Sequence, residues 1–446
     1  MYTVYSWLTA AGMILLSPYF LIRGLMNGKY LRHVTERLGW KFPAELESGG
    51  NDAVWIHAVS VGEVLAALPL AMQLKQAYPE RRLVISTTTT TGQQLARQRL
   101  QCADAIFYFP LDWKGPVTRA IRAARPGTVI IVETEIWPNF LRECRRAHVP
   151  VVFVNGRLSE RSYRGFVRAL TWSGGMLRNF LKRILDDATL FLMQSEQDAA
   201  RLLKLGADPT RVIVAGNLKY DLAKPPETPL SAWLQKELAM VMPRPVLVAG
   251  SVMANEEVQV LRAFADVQRE FPNVLLVLAP RKPDRFDAAA QIISESGQTL
   301  VRRRDLSHNE AGNSALAKPG TVLLLDSLGE LADIYRLADV VFVGGSLVPS
   351  GGHNILEPAA FSKVPIYGPS MENFREMAVK FLEAGAAIQV KDPQELGEAW
   401  KSLLRDTGRA ERMGAAARGL VDRNNGATAR VLRHIAQIVD SSRGQK

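Results

Sequence analysis

Residues 344–360, GGSLVPSGGHNILEPAA, follow the β-branched run VVFV at 340–343 and lead into an amphipathic run at 355–361. The first run reads as a buried parallel strand and the second as the opening turns of a helix. A glycine-rich turn between strand and helix can seat a phosphate. Glycine admits the backbone close to an anion, and unpaired N–H groups at a helix start favour negative charge. His353, Asn354 and Glu357 are the polar side chains at the mouth of the turn. Glu357 would repel a phosphate and suits hydrogen bonding to ribose hydroxyls instead. The same glycines would also serve a plain strand-to-helix turn, and the loop alone does not separate the two readings.

Outward from this loop the pattern repeats. Short apolar runs at 246–249, 274–278, 322–325, 340–343 and 365–367 alternate with helical patterns near 256–270 and 284–296. Earlier in the chain, runs at 54–60, 83–88, 128–132, 151–154, 190–194 and 212–215 alternate with amphipathic segments such as 64–78 and 199–205. Alternation of this kind predicts parallel sheets covered by helices on both faces, an α/β protein of two Rossmann-like domains. The polar, proline-rich passage KPPETPL at 224–230 reads as the link between them. The expected division is an anchor at 1–25, a first domain at 26–223, a linker at 224–243 and a second domain at 244–446 with terminal helices. Residues 305–318 have the polar character of a loop.

A length of 446 residues suits two domains of ordinary size, and 47% hydrophobic with 22% charged residues describes a globular chain. The formal net charge of +11 calls for an anionic partner. Arginines are dispersed and neither zinc-finger spacing nor an RNA-recognition signature occurs, so no nucleic-acid partner is expected. Cys102 and Cys144 provide no disulfide framework and point to a reducing compartment. Residues 2–22, YTVYSWLTAAGMILLSPYFLI, carry no charge and are long enough to cross a bilayer core of roughly 30 Å. Arg23, Lys29, Arg32, Arg37 and Lys41 follow, which puts the body of the chain on the cytoplasmic side. No basic segment precedes the apolar run, against a cleaved signal peptide. Pro18 and the small and polar residues leave a helix lying in the interface as the alternative to a span. Either arrangement makes a membrane with anionic lipid an expected partner.

Several chemistries are absent from the sequence. Gly24 to Lys29 lacks Walker A spacing and has Tyr30 where Ser or Thr would stand. No GxGxxG follows the first strand of either half, no Asp-x-Asp pair occurs, and the six histidines show no metal spacing. No metal or cofactor is expected, so phosphate charge falls to arginine, lysine and helix starts. The positive signals sit where strands end, the edge at which open α/β sheets bind ligands. In the first half these are HAVSVGE (57–63), ETEIWPN (133–139), NGRLSERS (155–162) and GNLK (216–219). In the second half they are Gly250-Ser251, PRKPDRF (280–286) and Leu328-Gly329-Glu330 after Asp326. Carboxylates gather in the first half, and cationic and glycine elements in the second.

HAVSVGE, ETEIWPN, NGRLSERS, FVGGSL and GGHNILEPAA together resemble the bacterial 3-deoxy-D-manno-octulosonic acid (Kdo) transferases across nearly the whole chain after the N-terminal run. The resemblance implies a GT-B fold with the active site in the cleft between two Rossmann-like halves. It also implies metal-independent, inverting transfer of Kdo from CMP-Kdo to the lipid A precursor (lipid IVA) at the inner membrane. Two-half sugar transferases of this kind use a C-terminal helix to return to the first domain. Glu63 matches the family's proton acceptor, and Glu133 and Lys219 match positions assigned to transition-state stabilisation. Pro280 and Arg281, Leu328, Gly329 and Glu330, and Asn354, Ile355, Leu356 and Glu357 match the CMP-binding segments. The chain departs from the family pattern at three places. Val252, Met253, Ala254 and Asn255 stand where Thr-His-x-Gly usually precedes Glu256-Glu257, and Lys282 and Ser370 replace histidines. Two other readings are a transferase using a different nucleotide sugar and a membrane-bound nucleotide sensor with no use for Glu63.

Overall fold

The computed structural model describes residues 1–27, 33–173, 175–221, 225–240, 244–306, 316 and 318–441. Lys29, Arg32, the start of the proline-rich passage and most of the polar loop at 305–318 lie outside the described residues. The chain forms two compact units, Met1–Asp221 with Asn424–Lys446, and Leu222–Arg423.

The first unit is built on a seven-stranded sheet: β1 Ala53–His57, β2 Leu83–Thr87, β3 Ala105–Tyr108, β4 Pro126–Val132, β5 Val151–Gly156, β6 Leu190–Met193 and β7 Val212–Val214. Their order is β3-β2-β1-β4-β5-β6-β7, and every pairing is parallel. Ile56 stands opposite Ile85 on one side and Ile130 on the other. Every residue of β1 is buried. A strand covered by helices on both faces reads as a continuous apolar run, without alternation. The second unit repeats this design with β8 Val246–Val252, β9 Leu275–Pro280, β10 Thr299–Arg302, β11 Thr321–Leu324, β12 Val340–Val343, β13 Pro365–Tyr367 and β14 Ile388–Gln389. Its order is β10-β11-β9-β8-β12-β13-β14, again all parallel. In each sheet the winding reverses once, between β1 and β4 in the first and between β8 and β12 in the second. Ligands of open α/β sheets sit at such a point, outside the carboxyl ends of the strands.

Three expectations about domain limits need correction. Most of the linker assigned to 224–243 is a helix, Pro229–Met240, with Leu230 and Leu234 fully buried. Asp333 fixes its start by accepting hydrogen bonds from Thr228 N and Ser231 Oγ. The end of the chain does not belong to the second domain as 244–446 requires. The helix Ala427–Ser441 packs in the first unit, as the resemblance implied for a returning helix. Asp221 accepts the N–H groups of Gly426, Ala427 and Thr428 at its start, Arg430 Nε donates to Ala215 O, and Val431, Ile435 and Val439 enter the core.

The membrane-spanning anchor is the third. Among the described residues no helix is long and apolar enough to cross a membrane. Tyr2–Asn27 is one helix, and its first turns lie on the first unit by a polar stripe. Tyr2 Oη donates to Asp187, Ser6 Oγ and the Asn139 amide exchange hydrogen bonds, and Trp113 Nε1 donates to Thr9 Oγ1. Residues 2, 6 and 9 share one face at helical spacing. Val4, Trp7, Leu8 and Leu15 are exposed, so polar groups face the protein and apolar ones face outward.

Candidate active site

At the reversal point of the first sheet, β1 runs through Ala58 to Ser60 into the helix Val61–Ala77, which carries Glu63 in its first turn. Glu63 is only 6% exposed. Its Oε2 accepts the Val59 N–H at 2.7 Å and its Oε1 accepts the Ser60 hydroxyl at 2.8 Å. A helix start and two donors would hold a carboxyl below its usual range. Burial outweighs them here, and with the charges of Glu133 and Glu135 it pushes Glu63 up to about 7. Each carboxylate oxygen has room for two hydrogen bonds and here accepts one, so a site on Glu63 stays open for an incoming proton.

Glu133 follows directly on β4 with φ +63°, a left-handed conformation that a residue with a side chain holds at a cost. Asn155 near the end of β5 and Ser251 near the end of β8 share that feature. Lys219 donates to Glu133 Oε1 at 3.1 Å. The turn carrying Lys219 is fixed from two sides, because Asn217 caps the Lys219 N–H and buried Asn155 accepts the Leu218 N–H. Glu63, Glu133 and Lys219, widely separated in sequence, therefore stand at one sheet edge as an electrostatically coupled group. His57, at the end of β1, is closed off from solvent. Its ring is fully buried, stacks on Phe109 and contacts Ser86, and burial drives its pKa down to about 3.

In the second unit the expected donor segments surround the carboxyl ends of β8, β9, β11 and β12. Pro280 is buried at the end of β9, and Arg281 is exposed beside it. The Arg281 guanidinium has no hydrogen-bond or ion-pair partner among the described residues. Its charge nevertheless reaches His353, lowered to about 4 mainly by burial, and Glu357, raised by burial against the pull of Asn354 and Arg281. Asn354 Nδ2 donates to Glu357 at 3.2 Å, and its Oδ1 accepts the Leu356 N–H. The side chains of Ile355 and Leu356 are buried. Leu328 is exposed, Gly329 holds φ +88°, and Glu330 is paired with Arg303 and hydrogen-bonded by Ser327.

The phosphate seat expected at the glycine loop takes a different form. The helix after it is only Leu356–Ala359, too short to bring a sizeable dipole to bear. The N–H groups of Gly345, Ser346 and Leu347 are already bound by the carboxylate of Glu256. Sequence reasoning passed over Glu256 as a donor-loop residue. Its signal was the Glu256-Glu257 pair opening an amphipathic helix after the strand that neighbours the loop. At the departures from the family pattern, Met253 borders Gly345, Lys282 is exposed, and Ser370 Oγ accepts the Gly351 N–H.

Among the described residues no three His, Cys, Asp or Glu side chains cluster closely enough to hold a metal ion. Residues 32–222 match the family described as 3-deoxy-D-manno-octulosonic-acid transferase, and residues 246–420 match glycosyl transferases group 1. A 3-deoxy-D-manno-octulosonic acid transferase of Haemophilus influenzae is 33% identical, with 92% of each chain covered. One from Bordetella pertussis is 34% identical over 89% of each. Among solved structures, Acinetobacter baumannii MurG is similar in fold, with TM-score 0.53 at 13% identity over 87% of this chain and 100% of that one. A putative UDP-N-acetylglucosamine 2-epimerase from Listeria monocytogenes gives TM-score 0.54 at 14% identity over 88% and 98%. These two likenesses bear on fold alone and agree with two Rossmann-like units. One-third identity over nine-tenths of a curated relative, with the motif carboxylates at a sheet's reversal point, establishes that the chain belongs to the 3-deoxy-D-manno-octulosonic acid transferase family.

Proposed function

We propose that this chain is an inverting glycosyltransferase that moves Kdo from CMP-Kdo to the lipid A precursor, lipid IVA, in lipopolysaccharide core biosynthesis. The observation that carries the reading is the state of Glu63: a buried carboxyl raised to about 7, with one face hydrogen-bonded and a lone pair to spare. A general base works best when its pKa lies near the working pH. Glu63 accepts the proton of the acceptor's sugar hydroxyl as that oxygen attacks the anomeric carbon, while CMP leaves from the opposite face. Lys219, held by Glu133, supplies positive charge against the charge that builds up in the transition state. On the donor side Arg281 meets the single phosphate of CMP, with Pro280, the Leu328-Gly329-Glu330 turn and the backbone of Asn354, Ile355 and Leu356 around the nucleotide. Glu357, with Asn354, faces the ribose hydroxyls.

The acceptor is a membrane lipid, and the first helix accounts for access to it. Its outward Val4, Trp7, Leu8 and Leu15 suit an in-plane helix set into the cytoplasmic face of the inner membrane. Exposed Lys41 and the partly buried Arg37 add attraction to anionic lipid. The test is transfer itself: purified protein with CMP-Kdo and lipid IVA, the product read by mass spectrometry. A mass increase by one or more Kdo units is expected, formed far more slowly by Glu63→Gln. No product with this donor and acceptor would overturn the reading.

A further inference from the structure

Glu256 precedes the helix Glu257–Glu270 and is fully buried. Its Oε2 accepts the N–H groups of Met253 at 3.0 Å and Gly345 at 2.6 Å. Its Oε1 accepts those of Ser346 at 3.0 Å and Leu347 at 2.9 Å. Successive N–H groups converging on one point form an anion-binding nest. This nest lies at the reversal point of the second sheet, and its occupant is a carboxylate of the chain itself. The glycines make the fit: a Cβ on Gly344 would lie 2.6 Å from Ser251 O and 2.9 Å from Glu256 Oε2, and Gly345 holds φ +69°. Ser346 closes the remaining side, its Oγ donating to Val343 O and accepting the Gly368 N–H.

We propose that Glu256 restricts the donor site to sugar nucleotides with a single phosphate, by filling the glycine-loop nest that a second phosphate would otherwise occupy. The inference rests on the CMP-linked donor of the preceding subsection. A diphosphate reaching this loop finds all four N–H groups taken and a like charge behind them. A buried carboxylate cannot be screened as a surface one would be. The charge of Arg281 acts on the same loop, at His353 and Glu357. A Cβ on Gly345 would touch the His353 ring at 2.8 Å, and that ring lies within the field of Arg281. One free guanidinium outside a filled nest matches one phosphate.

Calorimetry with CMP and CDP on the full-length protein tests this, with Glu256→Ala alongside the wild type and thermal melting as the check on folding. Wild type should bind CMP at least tenfold more tightly than CDP. In Glu256→Ala the vacated nest accepts phosphate, so the preference should shrink at least tenfold, and inorganic phosphate should compete with CDP in the variant only. If Glu256→Ala fails to melt cooperatively, Glu256→Ser is read in the same way, since it too removes the carboxylate and vacates the nest. CMP binding by wild type with an unchanged CMP-to-CDP preference in the folded variant would overturn this inference alone. Absence of CMP binding by wild type would overturn the donor reading and this inference with it.

Discussion

Glu63→Gln separates catalysis from stability, because the two effects have different pH dependences. The Glu63 carboxyl titrates at about 7 in the folded chain against 4.5 for an unperturbed glutamate. Between those values the folded state keeps a proton that the unfolded state has released, so stability falls as pH rises from 4.5 to 7. The difference of about 2.5 (7 minus 4.5) corresponds to about 3 kcal/mol at 1.36 kcal/mol per unit. Gln carries no charge and escapes this loss. Its amide keeps one of the two contacts to the Val59 N–H and the Ser60 hydroxyl in full, and losing the other costs about 1 kcal/mol. The variant should therefore be about 2 kcal/mol more stable than wild type at pH 8 and about 1 kcal/mol less stable at pH 4.5. An amide cannot take up the hydroxyl proton, so transfer should fall by about 10²- to 10⁴-fold. The assay pairs single-turnover transfer from CMP-Kdo with urea unfolding of the same preparations at both pH values. Transfer near the wild-type rate would refute the base. Equal destabilisation at pH 4.5 and pH 8 would refute the raised titration.

Wild-type transfer should rise with pH through about 7 as Glu63 ionises, and Lys219→Ala should lower the rate and move that rise to higher pH. The reason is that Glu133 loses its counter-charge and repels the Glu63 carboxylate more strongly; a pH–rate profile with an unmoved acid limb would sink the coupling. Arg281→Ala should weaken CMP binding by about one to two powers of ten, the worth of a charge-assisted hydrogen bond, and unchanged affinity by calorimetry would remove Arg281 from the phosphate. Joint replacement of Trp7 and Leu8 by Glu should reduce binding to anionic vesicles by about a hundredfold or more without lowering the melting temperature, since each apolar side chain contributes about 1.5–3 kcal/mol when buried. Vesicle binding equal to wild type would refute the in-plane helix.

The order of residues along the chain was enough to determine the α/β class, the two Rossmann-like units and eleven of the strands, because central strands such as β1, β4, β8 and β12 are buried on both faces and must be continuously apolar. The strands that escaped the reading, β3, β10 and β14, all lie at sheet edges, where a short strand with one neighbour needs no such run. The linker was misread for a related reason: the helix Pro229–Met240 buries only a narrow face, and its proline-rich approach hid that face. In the first helix, apolar composition suggested a span, yet the polar residues at positions 2, 6 and 9 find partners at Asp187, Asn139 and Trp113, more than a hundred positions away. The site shows the same limit. Motifs named Glu63, Glu133, Lys219 and Arg281 as residues, but what Glu63 can do depends on burial and on a charge 70 positions further along the chain, and what the glycine loop can hold depends on Glu256, 89 positions before Gly345. Backbone periodicity is a local property that neighbouring residues determine. The field at a carboxyl and the occupancy of a nest are sums over whatever the fold brings within a few ångströms, and only the tertiary structure decides them.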